Sequence, residues 1–220
     1  MKISKILSAV CLFQIVTTTS LLATPTLKLQ GGPYQNGDGG EFTATILDGG
    51  TSGFADGYNF QTFCMEYGEH LSFGTTYNFE INTAAVLGGE LDSDDLDSRT
   101  AYLYNEFLND TLVGYDTSSD AARLASAGRL QTTIWALEDE VDDHGNLFVA
   151  DPIFLADADL HDPGTIGDIR ILNLTRASDG MRAQDVIVRT MPAAVPAPGA
   201  LLLSGLGTMV AGYLRKRRAL

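Results

Sequence analysis

Two uncharged apolar stretches, one near each end and each flanked by cations, bracket an acidic centre; this segmentation limits how much of the chain can build a soluble core. The first stretch follows Lys2 and Lys5, runs from Ile6 to Val16 through Cys11, and gives way to Thr17, Thr18, Thr19 and Ser20. A basic start, a short apolar run and small residues beyond it form the layout of a secretory signal peptide, residues 1–23. Cleavage is expected after Ala23, with Ser20 as the alternative. Lipidation of Cys11 is not expected, because Val10 before it is bulky and the apolar run continues past it. The second stretch, Gly199 to Leu214, follows Val195-Pro196-Ala197-Pro198 and ends on Arg215-Lys216-Arg217-Arg218. Its 16 residues fall just under the ~17–25 of a bilayer-spanning helix, so the reading is a single marginal span, 199–214, held by basic residues at the cytoplasmic interface. A buried terminal helix is the competing reading, for which a basic cluster behind a proline-flanked run is poorly suited.

What lies between, residues 24–192, amounts to roughly 170 residues, the size of one ordinary domain. Hydrophobic residues make up 45% of the chain and charged ones 19%, which suits a folded domain, and 23 glycines imply many turns. The end segments hold six of the 14 basic residues and none of the 28 acids, so the centre sets 28 acids against 8 cations. Nucleic acid is thereby excluded as a partner, because phosphate binding needs a basic footprint. An acidic surface keeps an exported protein soluble and leaves room for divalent cations.

From Thr24 to about Leu87, short apolar runs alternate with Gly, Asn and Asp clusters, and Glu41–Leu47, Tyr58–Met65 and Thr76–Ile81 read as strands. The glycine-rich segment Gly31–Gly40 lacks the Gly-Lys-Ser/Thr ending of a phosphate loop and reads as a plain turn. Asp92, Asp94, Asp95 and Asp97 precede a helical run from Arg99 to Asn109. They miss the EF-hand pattern at Leu96 and just after it, and their ordinary role is to complement the helix dipole. A second helix runs from Ser119 or Asp120 to Leu137, capped by Asp120, with Leu124, Gly128, Gln131 and Trp135 at helical spacing and Leu130, Ile134 and Leu137 widening the apolar face. After Asp142–Gly145 the chain reads as irregular, until strands at Ile169–Leu174 and Asp185–Arg189 flank a turn at Ser178–Gly180. The fold class is α+β, a β-rich domain with a helical insertion.

Few residues suggest solitary chemistry. His70, His144 and His161 are scattered, and Glu66, Glu69 and His70 do not match a zinc-ligand spacing, so they read as surface side chains. No Gly-x-Ser-x-Gly elbow or dinucleotide fingerprint occurs, and neither a metal nor a cofactor is expected. Asn109-Asp110-Thr111 and Asn173-Leu174-Thr175 match the glycosylation pattern, which is common by chance. Loss of the leader removes Cys11, leaving Cys64 as the single cysteine of the mature chain, so no internal disulfide forms.

The tail Val195–Arg218, with Pro196 and Pro198, a hydrophobic helix and a terminal basic cluster, resembles the PEP-CTERM sorting signals, with Ala197 where the eponymous motif has glutamate. That resemblance implies recognition by an exosortase, a membrane protease-transpeptidase, and association of the mature protein with the envelope or exopolysaccharide. Phe63-Cys64-Met65-Glu66 on a strand and Leu130-Gln131-Thr132-Thr133-Ile134-Trp135 on a helix resemble the two motifs of bacterial surface thioester domains. The departures are Leu130, where threonine is frequent in that family, and Thr133, where alanine is. The resemblance implies a cross-link between Cys64 and Gln131, with Phe63, Glu66, Ile134 and Trp135 as the supporting pocket and aromatic neighbours keeping water away. Cys64 as a small buried hydrophobe, Gln131 as a helix residue satisfied by a backbone group, and Trp135 as a core anchor is the alternative account of the same residues.

The expected function is therefore that of an exported, exosortase-sorted, non-enzymatic protein of the cell surface or extracellular matrix. It attaches covalently to an amine-bearing partner through the Cys64–Gln131 thioester, and meets the membrane through its C-terminal helix before processing. The alternative is a noncovalent structural component of the envelope or biofilm matrix; a secreted hydrolase has little support in the sequence.

Overall fold

The computed structural model describes residues 23–37, 39–86 and 93–190. The expected signal peptide up to residue 22, the 199–214 helix, and the tail residues Val195, Pro196, Pro198, Arg215, Lys216, Arg217 and Arg218 lie outside the described residues, as does Asp92. Among the described residues no helix is long and apolar enough to cross a membrane.

The domain is α+β, with a sheet-rich core and three helices. In chain order, β1 (Thr26–Gln30) is followed by the short hairpin β2 (Gln35–Asn36) and β3 (Gly39–Gly40), then β4 (Phe42–Asp48), β5 (Asn59–Thr62) and β6 (Thr76–Asn82). A second small hairpin, β7 (Ala84–Val86) and β8 (Ser93–Asp95), leads to α1 (Ser98–Leu108), α2 (Asp120–Leu137) and α3 (Pro152–His161). The chain ends its described course in β9 (Ile169–Arg176) and β10 (Arg182–Arg189). The two strands after the helices thus join the sheet begun before them, in the order β10-β9-β6-β1-β4-β5, with every pairing antiparallel.

This sheet closes on itself. Beyond β5 the chain turns onto β10: Cys64 pairs with Val186, the Met65 amide donates to the Asp185 carbonyl (3.0 Å), and the Thr62 hydroxyl donates to the Ile187 carbonyl (2.6 Å). Joining the two edges removes the unpaired rows of amide and carbonyl groups that an open sheet exposes. Period-two alternation then sorts the side chains. Phe60 and Cys64 join a cluster drawn from all six strands, including Leu29, Ile46, Phe79, Leu172 and Val186. Their neighbours Phe63 and Met65, with Ile171 and Ile187, face the opposite way, onto Leu103, Phe107, Leu130, Ile134 and Phe154 of the helices.

The helix starts follow from local capping. Asp97 accepts from the Arg99 amide (2.7 Å) at the start of α1, so one acid of the Asp-rich run has the helix-start role expected of the group. Helix α2 spans the expected residues, but its cap is Ser119, which accepts from Ala122 (3.2 Å), and Asp120 is its first residue. Helix α3 lies in the stretch read as irregular. Asp151 caps it through the Ile153 amide (2.9 Å), Pro152 opens it with a pre-set φ, and Phe154 and Ala158 bury its inner face.

Candidate functional site

The site forms where α2 meets the β2–β3 hairpin and Cys64, which lies two residues beyond β5 rather than inside the expected strand Tyr58–Met65 and bridges to Val186. Charge and ring contacts hold the hairpin to the helix. Glu41, only 2% exposed, accepts from the Arg123 guanidinium (2.5 and 2.9 Å) and from the Tyr115 hydroxyl (2.9 Å), and Arg123 in turn lies over the Tyr34 ring. Further along α2, Gly128 permits close approach, since a Cβ there would stand 2.4 Å from Asn36 Nδ2. The hairpin therefore lies flat on one turn of the helix and carries Gly39 and Gly40 to the next turn, at Gln131.

Gln131 is 1% exposed, and its amide is held at both ends by main chain. The Oε1 atom accepts from the Cys64 amide (3.0 Å) and the Gly40 amide (3.2 Å), and Nε2 donates to the Cys64 carbonyl (2.8 Å). A side chain at Gly39 would place its Cβ 2.5 Å from Gln131 Cγ, and Gly40 adopts φ +96°, a backbone state that favours glycine. The Gly39-Gly40 pair, read from sequence as an ordinary turn, is thus part of the site. The dense glycine run in residues 31–40 was the available signal, because close backbone approach is one of the uses of glycine.

Two backbone N–H groups converging on one carbonyl oxygen polarise its carbon and stabilise the oxyanion formed when a nucleophile attacks that carbon. The acceptor here belongs to Gln131, and one of the donors is the amide of Cys64, the residue that carries the thiol. A cavity of about 550 Å³ opens beside Cys64, lined by Gln35, Gly39, Tyr67, Glu69, His70 and Asp143 among others. Gln131 and Trp135 border a separate groove along α2 with Asn36, Arg129 and Val149.

The expected supporting residues divide. Trp135 belongs to the Cys64 cluster and packs edge-on against Tyr67 (centroids 5.1 Å apart), with Phe148 tilted against both. Tyr67 and Phe148 are the aromatic neighbours that the sequence reading missed. Phe63 and Ile134 are fully buried but lie in the helical cluster, Phe63 edge-on to Phe107 at 5.1 Å; alternation along the strand turns Phe63 away from the face of Cys64. Glu66 is also turned elsewhere, and neither it nor Glu69 is a surface side chain: Glu66 is 2% exposed, and Glu69 is half-buried with a fully buried Oε2. Burial first, then the adjacent Glu69 carboxyl and the charge of Asp185, raise the pKa of Glu66 to about 11. His70, His144 and His161 are exposed and far apart in the fold's elements, His161 at the end of α3 beside Asp157. Asn173 is occupied as well, its amide donating to Asp185 (2.5 Å) and to the Ala84 carbonyl (3.1 Å).

No protein family, curated protein or solved structure matches this chain.

Proposed function

We propose that the domain is an exported surface or matrix protein that forms an internal thioester between Cys64 and Gln131 and uses it to bind an amine-bearing partner covalently. The supporting observation is the two-point pairing of the Gln131 amide with the backbone of Cys64, reinforced by the Gly40 N–H on the same carbonyl oxygen. In the forming step, the Cys64 sulfur bonds to Gln131 Cδ, the Cδ–Nε2 bond breaks, the thiol proton passes to nitrogen and one ammonia leaves. In the coupling step, a primary amine bonds to Cδ, the Cδ–S bond breaks, the amine proton returns to sulfur and an amide remains. Both steps pass through an oxyanion at Oε1, where the two N–H donors act. Tyr67, Trp135 and Phe148 form an apolar wall that limits hydrolysis until the partner arrives. The leader and the proline-framed, basic-ended tail support export and exosortase-type sorting to the envelope, surface or matrix.

The deciding measurement is the intact mass of Thr24–Ala194, beside a Cys64→Ala control and a methylamine-treated sample. A deficit of one ammonia, absent from the control and replaced by a methylamine adduct on Gln131, is expected. An unmodified mass with a titratable thiol would overturn the covalent mechanism. Gln131 would then serve as a core glutamine satisfied by main chain, in a noncovalent matrix component.

A further inference from the structure

Three carboxylates converge beside the segment 65–70 that follows Cys64. Glu66 and Glu69 lie on the turn that follows Cys64, and Asp185 comes from β10; each offers an oxygen, and these oxygens all lie within 4.8 Å of one another. The turn is drawn to β10 by Gln184, whose side-chain amide donates to the Glu66 carbonyl (2.6 Å) and whose backbone amide donates to the His70 carbonyl (3.3 Å). Asp185 is anchored by donors from Val86 (2.9 Å), Asn173 (2.5 Å) and Leu174 (3.0 Å).

Glu66 differs from its neighbour on β10. It is 2% exposed, and among the described residues neither of its carboxylate oxygens meets a hydrogen-bond donor. Glu69 Oε2 is likewise buried without a donor. Two facing carboxylates offer each other only acceptors, so this arrangement requires either a shared proton or a cation. The nearest basic side chains around the adjacent cavities, Arg176, Arg182 and His70, form no ion pair with Glu66, Glu69 or Asp185 among the described residues.

We propose that Glu66, Glu69 and Asp185 bind a calcium ion that ties the 65–70 turn to β10. The donors are all hard oxygens, which favours calcium or magnesium over the transition metals. Three protein carboxylates, one of them almost fully buried, suit calcium, because magnesium keeps several waters and takes one or two carboxylates. Water would complete the larger shell. Glu69 also lines the cavity beside Cys64, but calcium binding is read without reference to the state of the Cys64 sulfur.

The test uses the full-length chain, stripped with EDTA and titrated with calcium chloride by calorimetry and thermal melting, with magnesium chloride as comparison. One calcium per chain is expected, with a rise in Tm of ~5–10 °C at saturation. Glu69→Gln should abolish both signals, as should Glu66→Gln, while Asp159→Asn, an exposed acid on α3, should leave them intact. If Glu66→Gln fails to fold, the half-buried Glu69→Gln decides the matter. Equal Tm in calcium and EDTA with no saturable heat would overturn the site in favour of a shared proton, and tighter binding of magnesium would overturn the choice of ion.

Discussion

At Gly39 the absence of one methyl group decides whether Gln131 can reach Cys64. A Cβ there would overlap Gln131 Cγ and Cδ, at 2.5 and 2.9 Å. Gly39→Ala should therefore displace the glutamine carbonyl from the Cys64 and Gly40 amides. Loss of such donors costs ~100-fold or more in rate, against a stability loss of ~1–3 kcal/mol typical of overpacking. The expected outcome is a folded protein whose intact mass shows thioester formation slowed ~100-fold. A normal rate would remove the two amides from the mechanism. Cys64 and Gln131 were legible as a pair through the resemblance of their flanking motifs, and the structure lays the Gln131 amide against the Cys64 backbone. The glycines were not, since their role appears only when a segment some 90 residues before Gln131 is laid against its helix. Phe63, just beyond β5, packs in the helical cluster rather than with Cys64, because successive residues of an extended chain point to opposite faces.

Helix α2 links the site to the domain's response to pH. At its C-terminal cap, Glu138 is 5% exposed, and burial raises its pKa to about 8 despite the Asp97 amide, which lies 3.4 Å from each oxygen. The folded state therefore holds a proton that the unfolded state releases above its ordinary pKa of 4.5. Between these values the native protein binds more protons than the unfolded chain, so stability falls as pH rises, by up to ~1.4 kcal/mol per pH unit for one such group. In EDTA, Tm should decline from pH 5 to pH 8, and Glu138→Gln should flatten the part of the slope that Glu138 supplies. An unchanged slope in the variant would show that Glu138 does not titrate in this range. The span of α2 was readable from its periodicity and start signals, but the burial of its cap required the hairpin β7–β8 and the start of α1, which lie far from it in sequence. Helix α3 shows the opposite case: Asp151-Pro152 was a readable start signal, overlooked because the flanking Asp and Gly residues resembled a loop.

For the whole molecule, closure of the sheet makes one body of the segments before and after the helices, and its charge bears on what it can join. Between residues 24 and 192 the only lysine is Lys28, in β1, hydrogen-bonded between β4 and β6 in the middle of the sheet and partly buried there. With 28 acids and few amines, two copies repel one another and would offer the proposed thioester almost nothing to react with. A partner rich in exposed amines would meet the opposite conditions: attraction to the acidic domain, and nucleophiles in excess. Thr24–Ala194 incubated alone at high concentration should stay monomeric under denaturing electrophoresis, and addition of polylysine should shift it to a covalent adduct that Gln131→Ala cannot form. The adduct should weaken as salt screens the encounter. A ladder of self-linked copies from the protein alone would overturn this selectivity, and peptide mapping of the linked residue would show whether Lys28 or the new N-terminus supplies the amine.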